Sequence, residues 1–192
     1  MNIADTYIRE LQSKLGELSI ISINEIALEI ALVISRGGKI YVCGNGGSAS
    51  TSDHFVTDLI KLVGVEHKTK LNIQSLVSNT SVITAFGNDY SYSEIFSKQL
   101  ENICGEEDLL FVISASGNSE NIIKAIKIAI AKQIKVIGLV GFNGGSLIKM
   151  TKDVIHVKSN DYGVVEDCHL SICHILSRLI AINLREIPNE II

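Results

Sequence analysis

The chain has 192 residues, 46% of them hydrophobic and 20% charged, a balance that suits one compact domain with an ordinary core. A net charge of −4, with no long run of Lys or Arg, argues against nucleic acid as a partner. Mean hydropathy is +0.31, yet apolar stretches such as Ile134–Phe142 fall well short of the ~20 residues a bilayer requires, so no membrane span is expected.

Met1–Glu10 carries acids and no apolar h-region, so it does not read as a signal peptide. The cysteines Cys43, Cys104, Cys168 and Cys173 form no C-x-x-C pair and read as free thiols of a cytoplasmic protein. The single proline, Pro188, stands near the end, leaving the body of the chain free for long regular elements.

From about Ala4 to Ser35 the apolar residues recur at helical spacing with a break near Glu17–Asn24, which predicts two helices. Strand and helix then alternate. The pattern predicts a strand at Lys39–Cys43, a helix from Ser48 to about Leu62 and a strand at Leu71–Val77. Helices follow at Ser81–Phe86 and Glu94–Ile103, then a strand at Leu109–Ile113, a helix at Asn118–Ala131 and a strand at Lys135–Val140. A short helix from Gly145, a strand at Val154–Val157 and a long helix near Val164–Leu184 complete the chain. This alternation predicts an α/β fold, a parallel sheet doubly wound by helices, whose ligands bind at the carboxyl ends of the strands.

Three of those strand ends are rich in Gly, Ser and Asn: Gly44–Ser48, Ser114–Ser119 and Gly141–Ser146. Glycine permits positive φ and close backbone approach, and the free N–H groups of a helix N-terminus attract an anion. Geometry and N-capping alone explain the third turn. Capping needs one hydroxyl, however, and the second turn offers Ser114, Ser116 and Ser119 around a glycine, the composition of a phosphate seat. A P-loop is excluded by the lack of a following Lys-Ser/Thr pair. Gly44, Gly46 and Ala49 match the dinucleotide pattern G-x-G-x-x-A, but Glu66, the acid at the right distance, precedes the second strand instead of ending it.

Within the first helix after the glycine turn, His54 and Asp58 are four apart on one face. On the last helix Glu166 and His174 are eight apart, with Asp167 nearby, on an element otherwise strongly apolar. Any one of these residues alone reads as a solvated helix face. Together, in one cleft, they would hold a divalent metal such as zinc or perform acid–base work. Cys168 and Cys173 read as packing.

The combination of Gly44–Ala49, His54 with Asp58, Asn88-Asp89-Tyr90, Ser114–Ser119 and Glu166 through His174 resembles the sugar isomerase (SIS) domain family over nearly the whole chain. The likeness is greatest to members that convert sedoheptulose 7-phosphate to D-glycero-D-manno-heptose 7-phosphate for bacterial surface polysaccharide. The resemblance implies a five-stranded parallel sheet in the flavodoxin-like order, with residues 1–36 as a helical extension that packs in a homotetramer, and active sites between subunits. It implies that Ser114, Ala115, Ser116 and Ser119 hold the phosphate of a phosphorylated ketose or aldose. Asn45, Gly46, Gly47, Ser48, Asn88 and Asp89 would contact the substrate, and His54, Asp58, Glu166 and His174 would bind zinc. Catalysis through an enediol would fall to Asp58, Glu166 and His174. The family pattern has Glu at Asp58, Gln at Glu166, Glu at Asp167, Arg at Leu62 and Thr at Ala115. Related proteins of this fold only bind sugar phosphates or act as regulatory partners of the replication initiator, and that is the alternative function.

Overall fold

The computed structural model describes residues 2–187, so Pro188 lies outside the described residues. Five parallel strands form one sheet: β1 (Ile40–Gly44), β2 (Ile73–Ser75), β3 (Leu109–Ser114), β4 (Lys135–Val140) and β5 (Val154–His156). Their order is β2-β1-β3-β4-β5. The register pairs Ile40 with both Ile73 and Leu109, and Leu109 with Lys135. The predicted doubly wound sheet is therefore present, and its order reverses between β1 and β3, the point where such folds place their ligands.

The period-2 alternation of the strands divides the core in two. Ile40, Val42, Leu109 and Phe111 face one way, against α2 (Ile20–Ser35), α3 (Gly47–Leu59) and α7 (Tyr162–Glu186). Tyr41, Cys43, Leu110 and Val112 face the other, against α5 (Ser97–Ile103) and α6 (Glu120–Ala131). The rings of Phe55 on α3 and Phe111 on β3 lie 4.9 Å apart, pinning α3 over the central strands. Truncating so buried a ring typically costs about 3–5 kcal/mol.

The leading segment forms two helices as expected, α1 (Ile3–Gly16) and α2, meeting at 68° where Ser19 caps α2 by accepting from the Ser22 N–H. Helix α2 belongs to the core through residues such as Ile23, Ala27 and Ile30, whereas α1 buries none of its residues fully. Instead α1 is tied to the start of α7 and to the loop before it: the Tyr7 hydroxyl donates to Asp167 at 2.7 Å, and the Ser159 hydroxyl donates to Glu10 at 2.5 Å. No single helix among the described residues is long and apolar enough to cross a membrane.

Three elements differ from the sequence pattern. The helix expected to run to Leu62 is α-helical only to Leu59 and continues as a π-helical segment, Ile60–Glu66. The second strand spans three residues instead of Leu71–Val77, because it borders β1 alone and Ser78–Asn79 already turn into α4 (Thr80–Asp89). The short helix from Gly145 is a single 3-10 turn at Leu147–Lys149.

Candidate active site

The first glycine turn lets β1 run directly into α3. Gly46 stands at the N-cap of α3 with φ +55, a conformation other residues adopt only under strain, and it offers no capping side chain. The first N–H groups of α3 consequently have no side-chain cap. The second turn joins β3 to α6. Here the Ser114 hydroxyl accepts from the Gly117 N–H at 3.1 Å and the Ser116 hydroxyl from the Asn118 N–H at 3.3 Å. Ser119 is the N-cap of α6, yet its hydroxyl makes no capping bond.

The third turn supports the second. A Cβ on Gly117 would collide with the Gly144 carbonyl, the Leu147 N–H donates to the Gly117 carbonyl at 3.1 Å, and Asn118 accepts from the Ser146 N–H at 2.8 Å. The purely structural reading of Gly141–Ser146 fits this buttressing role.

Between the turns lies a cavity of about 300 Å³. Asn45, Gly46, Gly47, Ser48, Ser114, Ala115, Ser116 and Ser119 all line it, as do Glu166 and Tyr162 from α7. Asn88 and Asp89 do not line it. They sit exposed at the end of α4, where the Asn88 amide donates to Asp89 at 3.0 Å.

The electrostatics differ between the two helix ends. At α3 the carboxylate of Glu166 occupies the space a Cβ on Gly47 would take, so the chain's own anion already sits at that end. The N-terminus of α7 is capped by Asp161, which accepts from the Gly163 and Val164 N–H groups at 2.8 and 3.2 Å. The end of α6 is ringed by the hydroxyls of Ser114, Ser116 and Ser119, and the carboxylate in its first turn, Glu120, does not line the cavity.

Two residues that sequence reasoning missed hold Asn45. The buried Asn121 exchanges both amide hydrogen bonds with it, at 2.8 and 2.9 Å, and the Tyr92 hydroxyl donates to the side-chain Oδ1 of Asn45 at 3.0 Å. A polar residue two positions after the Ser119 cap, at a core-facing position of α6, was the available signal for Asn121. Tyr162 was also missed, and the sequence offers nothing to single it out beyond its place beside the α7 cap.

Helices α3 and α7 run side by side in the same direction, Gly47 meeting Glu166 at one end and His54 and Asp58 meeting His174 further along. The Asp58 carboxylate lies 2.8 Å from His174 Nδ1 and 3.7 Å from His54 Nε2, and the two imidazoles stand edge to face at 4.9 Å. One ligand atom from each of the three lies within 4.8 Å of the others. Two imidazole nitrogens and one carboxylate oxygen form the donor set of a zinc site that keeps a fourth position open, so the residues fit the ion. Glu166 stands apart from this trio. Eight residues of helix rise about 12 Å, and its side chain turns to Gly47 instead.

His169 belongs to neither group. It is fully buried, neither ring nitrogen has a hydrogen-bond partner, and burial pulls its pKa down to about 4. Burial likewise pushes the thiols of Cys43, Cys168 and Cys173 up, which fits packing and not metal binding.

A five-stranded parallel sheet with a serine-lined cavity at its switch point is the architecture of a sugar isomerase domain, and the family model of the SIS domain matches residues 6–141. The phosphoheptose isomerase of Shewanella loihica is 37% identical over 179 residues, 91% of this chain and 90% of that one. That of Dechloromonas aromatica is 43% identical over 144 residues, 73% of each. The structure of a phosphoheptose isomerase from Francisella tularensis superposes with a TM-score of 0.84 at 34% identity, covering 92% of this chain and 93% of that one. The chain belongs to the SIS domain family and, within it, to the phosphoheptose isomerases, a family of enzymes.

Proposed function

We propose that the protein isomerises sedoheptulose 7-phosphate to D-glycero-D-manno-heptose 7-phosphate, in the cytoplasm and toward a surface polysaccharide. The observation that carries this reading is the placement of the His54–Asp58–His174 trio further along the same two helices that form one wall of the serine-lined cavity. A phosphate held by Ser114, Ser116 and Ser119 lets the carbon chain run past Glu166 toward the trio. Remote anchoring of this kind fixes the reacting carbons without touching them.

The reaction moves a proton from C1 of the ketose to C2 through an enediol, while a second proton passes between the two oxygens. Asp58 is assigned as the carbon base, because the family pattern has a carboxylate at this position and a neutral Gln at Glu166. His174, hydrogen-bonded to Asp58 at 2.8 Å, is assigned the proton transfer at oxygen. Glu166 orients sugar hydroxyls as an acceptor beside the α3 N-terminus. Zinc held by His54, Asp58 and His174 would supply polarisation of the carbonyl and hydroxyl oxygens and so favour their developing charge. With Asp58 shared between these tasks, a further ligand such as Glu166 would have to turn from Gly47.

The active unit in this reading is a homotetramer with sites completed between subunits. Exposed Ile21, Leu28 and Leu32 on α2 and Ile175 and Ile182 on α7 favour assembly, as does the position of Asn88 and Asp89 outside this protomer's cavity. Four free thiols suit a reducing compartment. The deciding assay follows heptose 7-phosphate formation from sedoheptulose 7-phosphate by purified, folded protein supplied with zinc. No turnover of this or any other phosphorylated ketose defeats the enzymatic reading.

A further inference from the structure

We propose that Tyr162, braced by Phe142, sets which phosphosugar the cavity accepts by stacking on the carbon chain beyond the phosphate. The proposal deepens the isomerase reading and rests on it. Among the residues lining the cavity, Tyr162 is the single aromatic, and most of the others are Gly, Ser, Asn or Ala, which supply donors or space but little apolar face. Donors of that kind recognise a phosphate and hydroxyls. They do not measure the carbon chain between them, whose C–H faces match an aromatic ring.

The ring of Tyr162 is held in place although the residue is 59% exposed. It meets Phe142 edge to face at 4.6 Å and 70°. Phe142 itself adopts φ +46, a left-handed conformation that costs a side chain of its kind about 1–2 kcal/mol. Its backbone is fixed there on both sides: its N–H donates to the Ser159 carbonyl at 3.0 Å, and its own carbonyl meets His156 Nε2 at 3.0 Å. On the other side Asp161 caps α7 and sets the backbone of Tyr162, the first helical residue. Strained backbone persists where its surroundings over-determine it, and here the result is an aromatic ring presented rigidly at the cavity wall.

The test is calorimetric binding of inorganic phosphate, fructose 6-phosphate and sedoheptulose 7-phosphate to the wild-type protein and to Tyr162→Ala, Tyr162→Leu and Tyr162→Phe, with melting curves to establish folding. Tyr162→Ala and Tyr162→Leu should weaken sedoheptulose 7-phosphate about tenfold, raise KM in step with kcat retained, and erase most of its preference over fructose 6-phosphate. Inorganic phosphate should bind as before, and Tyr162→Phe should behave as wild type. Equal weakening of phosphate and phosphosugar, or no weakening at all, overturns the stacking role. Unchanged selectivity in a variant of an active enzyme removes this proposal alone, whereas a wild-type protein that binds no phosphosugar removes the isomerase reading with it.

Discussion

The carboxylate of Glu166 rests against Gly47, filling the space a Cβ would take at the first turn of α3. Alanine at position 47 favours the helix by up to about 1 kcal/mol, and the group in its way is the free end of a flexible side chain. Gly47→Ala should therefore leave the melting temperature unchanged or slightly raised while lowering kcat/KM about tenfold or more, because Glu166 is pushed from the cavity wall. Full activity in a stable Gly47→Ala protein would show that the position of Glu166 does not matter.

The two carboxylates should separate cleanly by isosteric substitution. Asp58→Asn removes the assigned base and should cut kcat by roughly 10²–10⁴, the usual range for such a group. Glu166→Gln keeps an acceptor in place and should cost only a few-fold. Steady-state kinetics with sedoheptulose 7-phosphate decide the matter, and the reverse ranking would move the base to Glu166.

Metal content offers a test that does not depend on turnover. Zinc measured by mass spectrometry after dialysis should reach about one ion per subunit in the wild-type protein and fall to background in His54→Ala and His174→Ala. Removal by chelator and restoration with zinc should switch activity off and on. Stoichiometric zinc in both variants would place the ion elsewhere.

His169 predicts how stability responds to acid. Burial lowers its pKa from the ordinary 6.5 to about 4, so between these values the unfolded chain binds a proton that the native one refuses. This contribution to stability is fully present above pH 6.5 and is lost as the pH falls toward 4, amounting to about 3 kcal/mol at the low end. Denaturant titrations at several pH values should show a shallower decline for His169→Leu than for wild type over that window. Parallel curves would mean that the imidazole is protonated equally in both states.

The parallel sheet and the two helices that carry the trio were legible because their information is local: apolar periodicity, a glycine turn, and His54 and Asp58 one helical turn apart, whereas the strand order came only with the family resemblance. The convergence of Ser114, Ser116 and Ser119 on one cavity was legible because three hydroxyls exceed what a cap requires. What escaped were relations between distant segments. Nothing near Asn121 in the chain announces that it locks Asn45, 76 positions away. Nor does the eight-residue spacing of Glu166 and His174 reveal that the first turns to Gly47 and the second to Asp58, since that depends on how α3 and α7 lie together. The π-helical end of α3 was hidden for a related reason, as its residues carry an ordinary helical pattern.

One native carboxylate lines the cavity, at its α3 end, while hydroxyls line it at the α6 end, and this gives the pocket a sense of direction. If the phosphate sits at the α6 end as proposed, a guest with one terminal phosphate should favour a single orientation, since the reversed pose would set its dianion against Glu166. In the proposed binding mode a sugar phosphorylated at both termini should therefore bind more weakly than the monophosphate, a preference set by charge and separate from stereochemistry.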